Sequence, residues 1–363
     1  MKDGPNSKTT HKECRTCFFT TGFPGITINE SGECTFCANR TCLPYIQTVT
    51  DSDLEELRRI AKKLKEKKTG KYDCIIGGSG GLDSSYVIYV AKKLLDLNPL
   101  VVNYDNGFVY DIAKENLTSI CKNLGVDLRV FRSKKYHFKH LKYMALSLRN
   151  IGIYWGFCQS CRYLLKAVLH KIAIEENIST VLVSNNPYEQ VHLFGLPTRA
   201  KLKTMFDGLF KPFSLTRFLK LFYYFPAAFY YYTMLKLEFY IPPFTNIFRR
   251  DPKSLNMEEI NITKYIPWNL DQMLKNLEEI GWKAPDPMLP MRFDCKIDNS
   301  FIGYTYKKMS GYNTHVVICH NLICDGTRTK SQLKPSLESL DNCLEQNMEQ
   351  MMKSLGVKSE SER

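Results

Sequence analysis

The stretch from Tyr72 to Ala91, YDCIIGGSGGLDSSYVIYVA, constrains the fold more than any other part of the chain. Cys74, Ile75 and Ile76 are a short apolar run that reads as a buried strand. Gly77, Gly78, Gly80 and Gly81 follow, and glycine lets backbone turn tightly and lie close to a ligand. From Leu82 to Leu95 apolar residues recur at helical spacing, so the turn opens a helix. A strand, a glycine turn and a helix N-terminus make an anion site, because free N–H groups and the helix dipole converge there. The Gly-Lys-Ser/Thr of a P-loop and the Gly-x-Gly-x-x-Gly of a dinucleotide fold are both absent.

Ser79-Gly80-Gly81-Leu82-Asp83-Ser84-Ser85 instead resembles the SGGxDS pyrophosphate loop of the PP-loop ATP pyrophosphatases. That family cleaves ATP between the α- and β-phosphates and adenylates an oxygen of its substrate. The resemblance implies that Gly78, Gly80 and Gly81 supply loop backbone. It gives the pyrophosphate to the Ser79, Ser84 and Ser85 hydroxyls and assigns Asp83 to Mg²⁺. Ser79 and Asp83 are then the catalytic pair to test. The plain alternative is a glycine turn that only joins a strand to a helix.

The flanking sequence alternates. Residues 100–104 and 128–131 read as strands, with a helix over 112–124 between them. Helices over 138–149 and 161–177 lead to a strand at 180–184. Strand–helix units of this length predict an α/β domain with a doubly wound parallel sheet, and the loop's resemblance implies that it is of the PP-loop or adenine nucleotide α-hydrolase kind. Ligands in such sheets bind beyond the carboxyl ends of the strands. That rule brings residues 103–107 and 184–189 beside the loop, with Asn103 and Asp105 as expected nucleotide contacts.

Upstream, Cys14-Arg-Thr-Cys17 and Cys34-Thr-Phe-Cys37 form a C-x₂-C-x₁₆-C-x₂-C pattern, the spacing of two knuckles closing on one tetrahedral Zn²⁺. Few apolar residues lie between them, so metal is expected to supply the folding energy of a zinc ribbon. Cys42 falls outside the spacing. Residues 1–12 are polar and lack the apolar core of a signal peptide, so the thirteen cysteines point to a reducing, cytoplasmic setting. Cys158-Gln-Ser-Cys161 and the distant Cys295 admit a different reading, as three ligands of a [4Fe–4S] cluster with one iron open. The bland alternative is a pair of half-buried thiols at a helix start.

The composition shifts between Met205 and Arg250. Residues 221–235 carry no charge and are dense in Tyr and Phe, while Pro226 interrupts them. The run is shorter than the ~20 residues that a span requires. A lid or core helix, a contact with the inner membrane face and a span all remain open. A formal charge of +13 favours anionic partners without choosing among them. The organisation expected is a tail and ribbon over 1–48, an ATP-binding domain over 49–204 and an aromatic insert over 205–250. A helical C-terminal segment follows over 251–335, then a polar tail over 336–363 that also admits one surface helix.

Taken together, the cysteine pairs (the second as Gly32-Glu-Cys-Thr-Phe-Cys37), the SGGxDSS loop and a late Pro267-Trp268…Gly281-Trp282 segment resemble the N-acetyl sugar amidotransferase family. Leu82 stands where that family frequently has Lys. The resemblance implies ATP, Mg²⁺ and Zn²⁺ as cofactors. It implies a nucleotide- or lipid-linked N-acetyl sugar as substrate, whose acetamido group becomes an acetamidino group in surface-glycan synthesis. No glutaminase signature is present, so a glutaminase partner is expected to supply ammonia. Two further readings stand beside it. One is an iron–sulfur sulfurtransferase acting on tRNA or a small molecule. The other is a non-catalytic nucleotide-binding scaffold at a membrane.

Overall fold

The computed structural model describes residues 11–23, 26–39, 49–132, 136–151, 157–186, 215–238, 257–284, 294–297 and most of 300–358. Residues 1–10, Cys42 and, from the aromatic insert, residues 205–214 and 239–250 lie outside these. Five strands, β1 (Cys74–Gly77), β2 (Pro99–Asp105), β3 (Asp127–Arg132), β4 (Thr180–Val183) and β5 (Glu258–Asn261), form one parallel sheet in the order β3-β2-β1-β4-β5. From β1 the chain builds outward through β2 and β3, then crosses back to place β4 on the other side of β1. That reversal makes the carboxyl end of β1 the switch point, where doubly wound sheets open a crevice.

The side-chain period of two explains the layers. Ile75, Leu100 and Val102 face Tyr163, Leu164, Val168 and Ile172, whereas Ile76 and Val101 belong to the core on the opposite side. Strand β5 was not expected from sequence. Its residues, Glu-Glu-Ile-Asn, offer only Ile260 to the core, and a short acidic strand suits a sheet edge.

In chain order the helices are α1 (Thr35–Ala38), α2 (Asp51–Lys67), α3 (Leu82–Tyr89), α4 (Asp111–Leu124), α5 (Tyr136–Ile151) and α6 (Phe157–Glu175). Then come α7 (Leu215–Glu238), α8 (Leu270–Glu278), α9 (His315–Cys324) and α10 (Lys330–Ser354). The α2 start is fixed by Asp53, whose carboxylate accepts from the Thr50 N–H at 2.8 Å. Helix α3 relaxes into a π-turn over Val90–Leu94 rather than running on as α-helix to Leu95.

Three expectations change. Helix α7 passes through Pro226 unbroken, and that exposed proline merely withholds one N–H from the Phe222 carbonyl. One side of α7 lies on α5, where the His140 ring meets the Ala228 carbonyl at 2.9 Å and Tyr143 stacks on Tyr231 at 5.3 Å. Leu215, Leu219, Phe222, Tyr223, Phe229 and Tyr230 stay exposed. No described helix is long and apolar enough to cross a membrane. The residues past Pro335 are helical but do not lie wholly on the surface: α10 begins at a Thr329–Gln332 capping box and buries Leu337, Leu340, Leu344, Met351 and Met352. Nor is the ribbon short of apolar anchors, since Phe18, Phe19, Phe23 and Ile26 are buried and join the main core.

Candidate functional site

The pyrophosphate-like loop leaves β1 at the switch point and enters α3 with Gly81 as N-cap. Its polar groups close on one another. Ser84 Oγ accepts from the Ser79 N–H at 3.0 Å, and Ser79 Oγ accepts from the Gly81 N–H at 3.2 Å. The two hydroxyls are 3.0 Å apart. These are the N–H groups an oxyanion would seek at a helix N-terminus, and the hydroxyls hold them oriented. Ser85 stands apart: it is fully buried and its Oγ has no hydrogen-bond partner among the described residues.

Gly80 is required by both backbone and space. Its φ is +84°, and a Cβ there would lie 1.8 Å from the Ala113 carbonyl oxygen at the start of α4. The other face of the loop is held by the late tryptophan segment. Trp282, almost fully buried, donates its indole N–H to the Gly80 carbonyl at 3.1 Å. That segment is in turn pinned by α4. Asn116 makes a reciprocal pair with the Lys283 N–H and C=O at 2.9 and 2.8 Å, and the Asn123 amide donates to the Ile280 carbonyl at 2.9 Å. Gly281 between them has φ +87°, and a Cβ there would press to 2.7 Å against Asn123. Trp268 meets Tyr86 of α3 edge-on at 5.5 Å. The Pro-Trp…Gly-Trp segment therefore acts as a brace for the loop and for the helix behind it.

Asp83, half-buried, faces across the crevice to Asn186 just beyond β4, whose amide reaches its two oxygens at 3.2 and 3.1 Å. Asp294 was missed by sequence reasoning. A Cβ on Gly81 would lie 3.2 Å from its carboxylate, so a second acid flanks the loop. Its sequence signal, an Asp inside Arg292-Phe-Asp-Cys295, is too slight to have found it. Two carboxylates beside a cluster of N–H donors fit a divalent cation carrying phosphate.

Asn103 and Asp105 sit at the carboxyl end of β2, but each is engaged by protein. The Asn103 amide donates to the Gly78 carbonyl at 2.6 Å. Asp105 is paired with Arg132 at 2.7 Å and accepts from the Gly107 N–H at 2.8 Å. Asn103 thus ties the loop to the neighbouring strand, and Asp105 closes the β2 turn.

Cys161 and Cys295 come together. The Asn106 amide lies 3.6 Å from one sulfur and 3.9 Å from the other, and Cys295 is carried there by a bridge to Val109. Helix α6 starts at Phe157, so Cys158 lies in its first turn and Cys161 a turn deeper. Burial pushes the Cys161 thiol up to about 11. Its neighbour is His137 at 3.3 Å, whose other nitrogen meets the Tyr104 hydroxyl at 2.8 Å. Burial first, and His140 second, hold His137 down to about 3, so it is neutral at pH 7. Among the described residues the three cysteines do not form a group tight enough for one ion.

At the N-terminus, the Cys14, Cys17, Cys34 and Cys37 sulfurs all lie within 4.8 Å of one another. The knuckle backbones donate to them: Cys34 N–H to Cys14 Sγ at 3.2 Å, Phe19 N–H to Cys17 Sγ at 3.4 Å and Cys37 N–H to Cys34 Sγ at 3.5 Å. Contact with the Cys17 thiol holds Cys37 down to about 7, while Cys34 and Cys37 push Cys17 up. Four converging sulfurs with oriented N–H donors suit a tetrahedral metal ion.

No protein-family model matches the chain. Over 76 residues it is 40% identical to an uncharacterized protein of Methanocaldococcus jannaschii, a match covering 21% of this chain and 27% of that one. Over 161 residues it is 26% identical to a glutamine-hydrolyzing GMP synthase of Chlorobium limicola, covering 42% and 30% respectively. The matches thus span less than a third of either relative. Among solved structures, an NMN synthetase from Francisella tularensis gives a TM-score of 0.39 at 10% identity, covering 82% of this chain and 95% of that one. An NH3-dependent NAD synthetase from Campylobacter jejuni gives 0.29 at 11% identity, covering 66% and 98%. Both superpositions are too loose to weigh in the assignment of function.

Proposed function

We propose that the chain is an ATP-dependent, AMP-forming ligase that converts the acetamido group of a nucleotide- or lipid-linked N-acetyl sugar to an acetamidino group. The observation that carries the ATP part is the loop: oriented N–H groups at the switch point, braced by Trp282 and flanked by Asp83 and Asp294. The sugar part rests on the resemblance in the order of cysteine pairs, loop and tryptophan segment. The match to a relative named for glutamine hydrolysis is consistent with ammonia as the nitrogen source.

The acetamido oxygen attacks the α-phosphorus of ATP, and the bond to the β-phosphate oxygen breaks to release pyrophosphate. Ammonia then adds to the imidate carbon, a proton is lost, and AMP departs with the original acetamido oxygen. An amide oxygen is a poor leaving group, and adenylation replaces it with a good one. Mg²⁺, when bound, neutralises charge on the phosphates. Asp83 and Asp294 would hold it, while Ser79, Ser84 and the loop N–H groups would orient the departing pyrophosphate. The four-cysteine cluster would hold Zn²⁺ as a structural ion. A glutaminase partner is proposed as the ammonia source. An anionic membrane surface is proposed as the neighbour of the exposed α7 face, given the chain's net charge of +13.

The test uses acetamido-¹⁸O-labelled, nucleotide-linked N-acetylhexosamines with ATP and an ammonium salt. Label recovered in AMP is the result expected; unlabelled AMP from a sugar that has been amidinated would refute the adenylation step.

One observation favours a second reading. Cys161 and Cys295, which are 134 positions apart in sequence, meet at Asn106 over the carboxyl edge of the sheet. With Cys158 they would be three ligands of a [4Fe–4S] cluster in a sulfurtransferase acting on tRNA or a small molecule. Anaerobically prepared protein would then contain roughly four iron atoms per chain; iron-free, colourless protein with full AMP-forming activity removes this reading.

A further inference from the structure

Helix α9 adds two metal-ligand types to the ribbon, and sequence spacing gave no hint of them. His320 and Cys324 are four residues apart, so they share one face of the helix. That face meets Cys37. The His320 Nδ1 lies 3.9 Å from the Cys37 sulfur, and the Cys324 sulfur lies 3.3 Å from His320 Nε2. The three ligand atoms all lie within 4.8 Å of one another, as do the four sulfurs of the ribbon. Phe19 and Phe36, both from the ribbon, hold the His320 ring at centroid distances of 4.6 and 5.9 Å. His320 is fully buried, while Cys37 and Cys324 are half-buried.

We propose that Cys37, His320 and Cys324 form a second metal site, in which the Cys37 thiolate bridges a second Zn²⁺-class ion to the one held by the ribbon. Imidazole and thiolate are the donors that select this class of ion. Charge gives the reason for sharing. One dication among four thiolates leaves a formal excess of about two negative charges in a largely buried cluster. A second dication, bringing one more thiolate and a neutral imidazole, reduces that excess to about one. The Lys330 ammonium, on the Cys14 carbonyl at 2.6 Å, offsets part of what remains. Three protein ligands leave one coordination position to solvent.

The second ion fastens the ribbon to the C-terminal helices. Cys37 and His320 are separated by 283 positions in sequence, so a bond through one ion closes a very long loop. The salt bridge from Lys330 to Glu13, 2.7 Å, lies on the same interface.

The test is the metal content of the full chain, measured by mass spectrometry after dialysis against a weak chelator. About two zinc ions per chain are expected in the parent protein. His320→Ala and Cys324→Ser are each expected to lower this to about one, with the far-UV circular dichroism retained. Cys34→Ser separates this site from the ribbon reading, since it removes a ligand of the ribbon ion alone. One zinc per chain in the parent, lost in Cys34→Ser, would overturn the second site and leave the ribbon standing. Two zinc ions that persist in both His320→Ala and Cys324→Ser would overturn it as well. In the Co²⁺-loaded protein, thiolate-to-metal absorption should fall in Cys324→Ser. That readout decides the matter if His320→Ala fails to fold, and unchanged absorption would count against the site.

Discussion

Replacing Trp282 by Phe probes the brace on the pyrophosphate loop with little change elsewhere. The indole N–H that reaches the Gly80 carbonyl at 3.1 Å is lost, and the ring shrinks in a site where Trp282 is almost fully buried. A buried carbonyl left without its partner costs about 1–3 kcal/mol. The residual void adds about 24 cal/mol per Å³ that the core fails to fill. The expected total is about 2–4 kcal/mol, within the ~5–15 kcal/mol by which domains are usually stable. Urea unfolding should show a lower midpoint with an unchanged slope. The effect on function is separable. Gly80 lies against the Ala113 carbonyl on one side and Trp282 on the other, so releasing one side lets the N–H groups of 79–81 drift. At saturating ATP, AMP formation per folded molecule should fall about tenfold for each ~1.4 kcal/mol of lost transition-state stabilisation. A large loss of stability with an unchanged rate per folded molecule would show that Trp282 only fills the core. No change in either would refute the brace.

Other outcomes follow from the same geometry. Asn186→Ala should weaken AMP formation less than Asp83→Ala, because it removes only the amide that positions the acid; equal effects would mean that Asn186 itself contacts the reacting groups. Leu344→Ala, in the buried face of α10, should cost about 2–5 kcal/mol, read by chemical denaturation, whereas a surface tail would lose almost nothing. The folded-state pKa of His137, about 3, lies below its unfolded value, so this group favours folding above the unfolded pKa and works against it as pH falls. Its ring signals in an NMR titration should stay at the neutral position down to about pH 5, and a midpoint near ~6.5 would contradict its enclosure. Phe222→Glu on the exposed face of α7 should reduce co-sedimentation with phosphatidylserine-containing vesicles several-fold, and parent protein that never sediments would remove the membrane contact.

The sequence made the sheet legible because its apolar runs are strong and its turns carry glycine. The loop was legible because a strand, glycines and hydroxyls fall within one short stretch. Strand β5 escaped because an edge strand buries one side chain, too little for a periodic signal. The burial of α10 was missed because Pro335 and a polar face hid its stripe of Leu and Met. At the site, Asn103 and Asp105 are engaged by long-range partners, Gly78 and Arg132, that no local pattern reports. The same holds for Asp294, and for His320 and Cys324, which reach the ribbon across nearly the whole length of the chain.

The most direct test of an AMP-forming enzyme is the identity of the phosphorus products. Purified protein is incubated with ATP, Mg²⁺, ammonium and a panel of nucleotide-linked N-acetyl sugars, and the mixture is read by ³¹P NMR. The account predicts AMP and pyrophosphate in equal amounts, abolished in Asp83→Ala while that variant keeps its fold. Production of ADP and inorganic phosphate would contradict it.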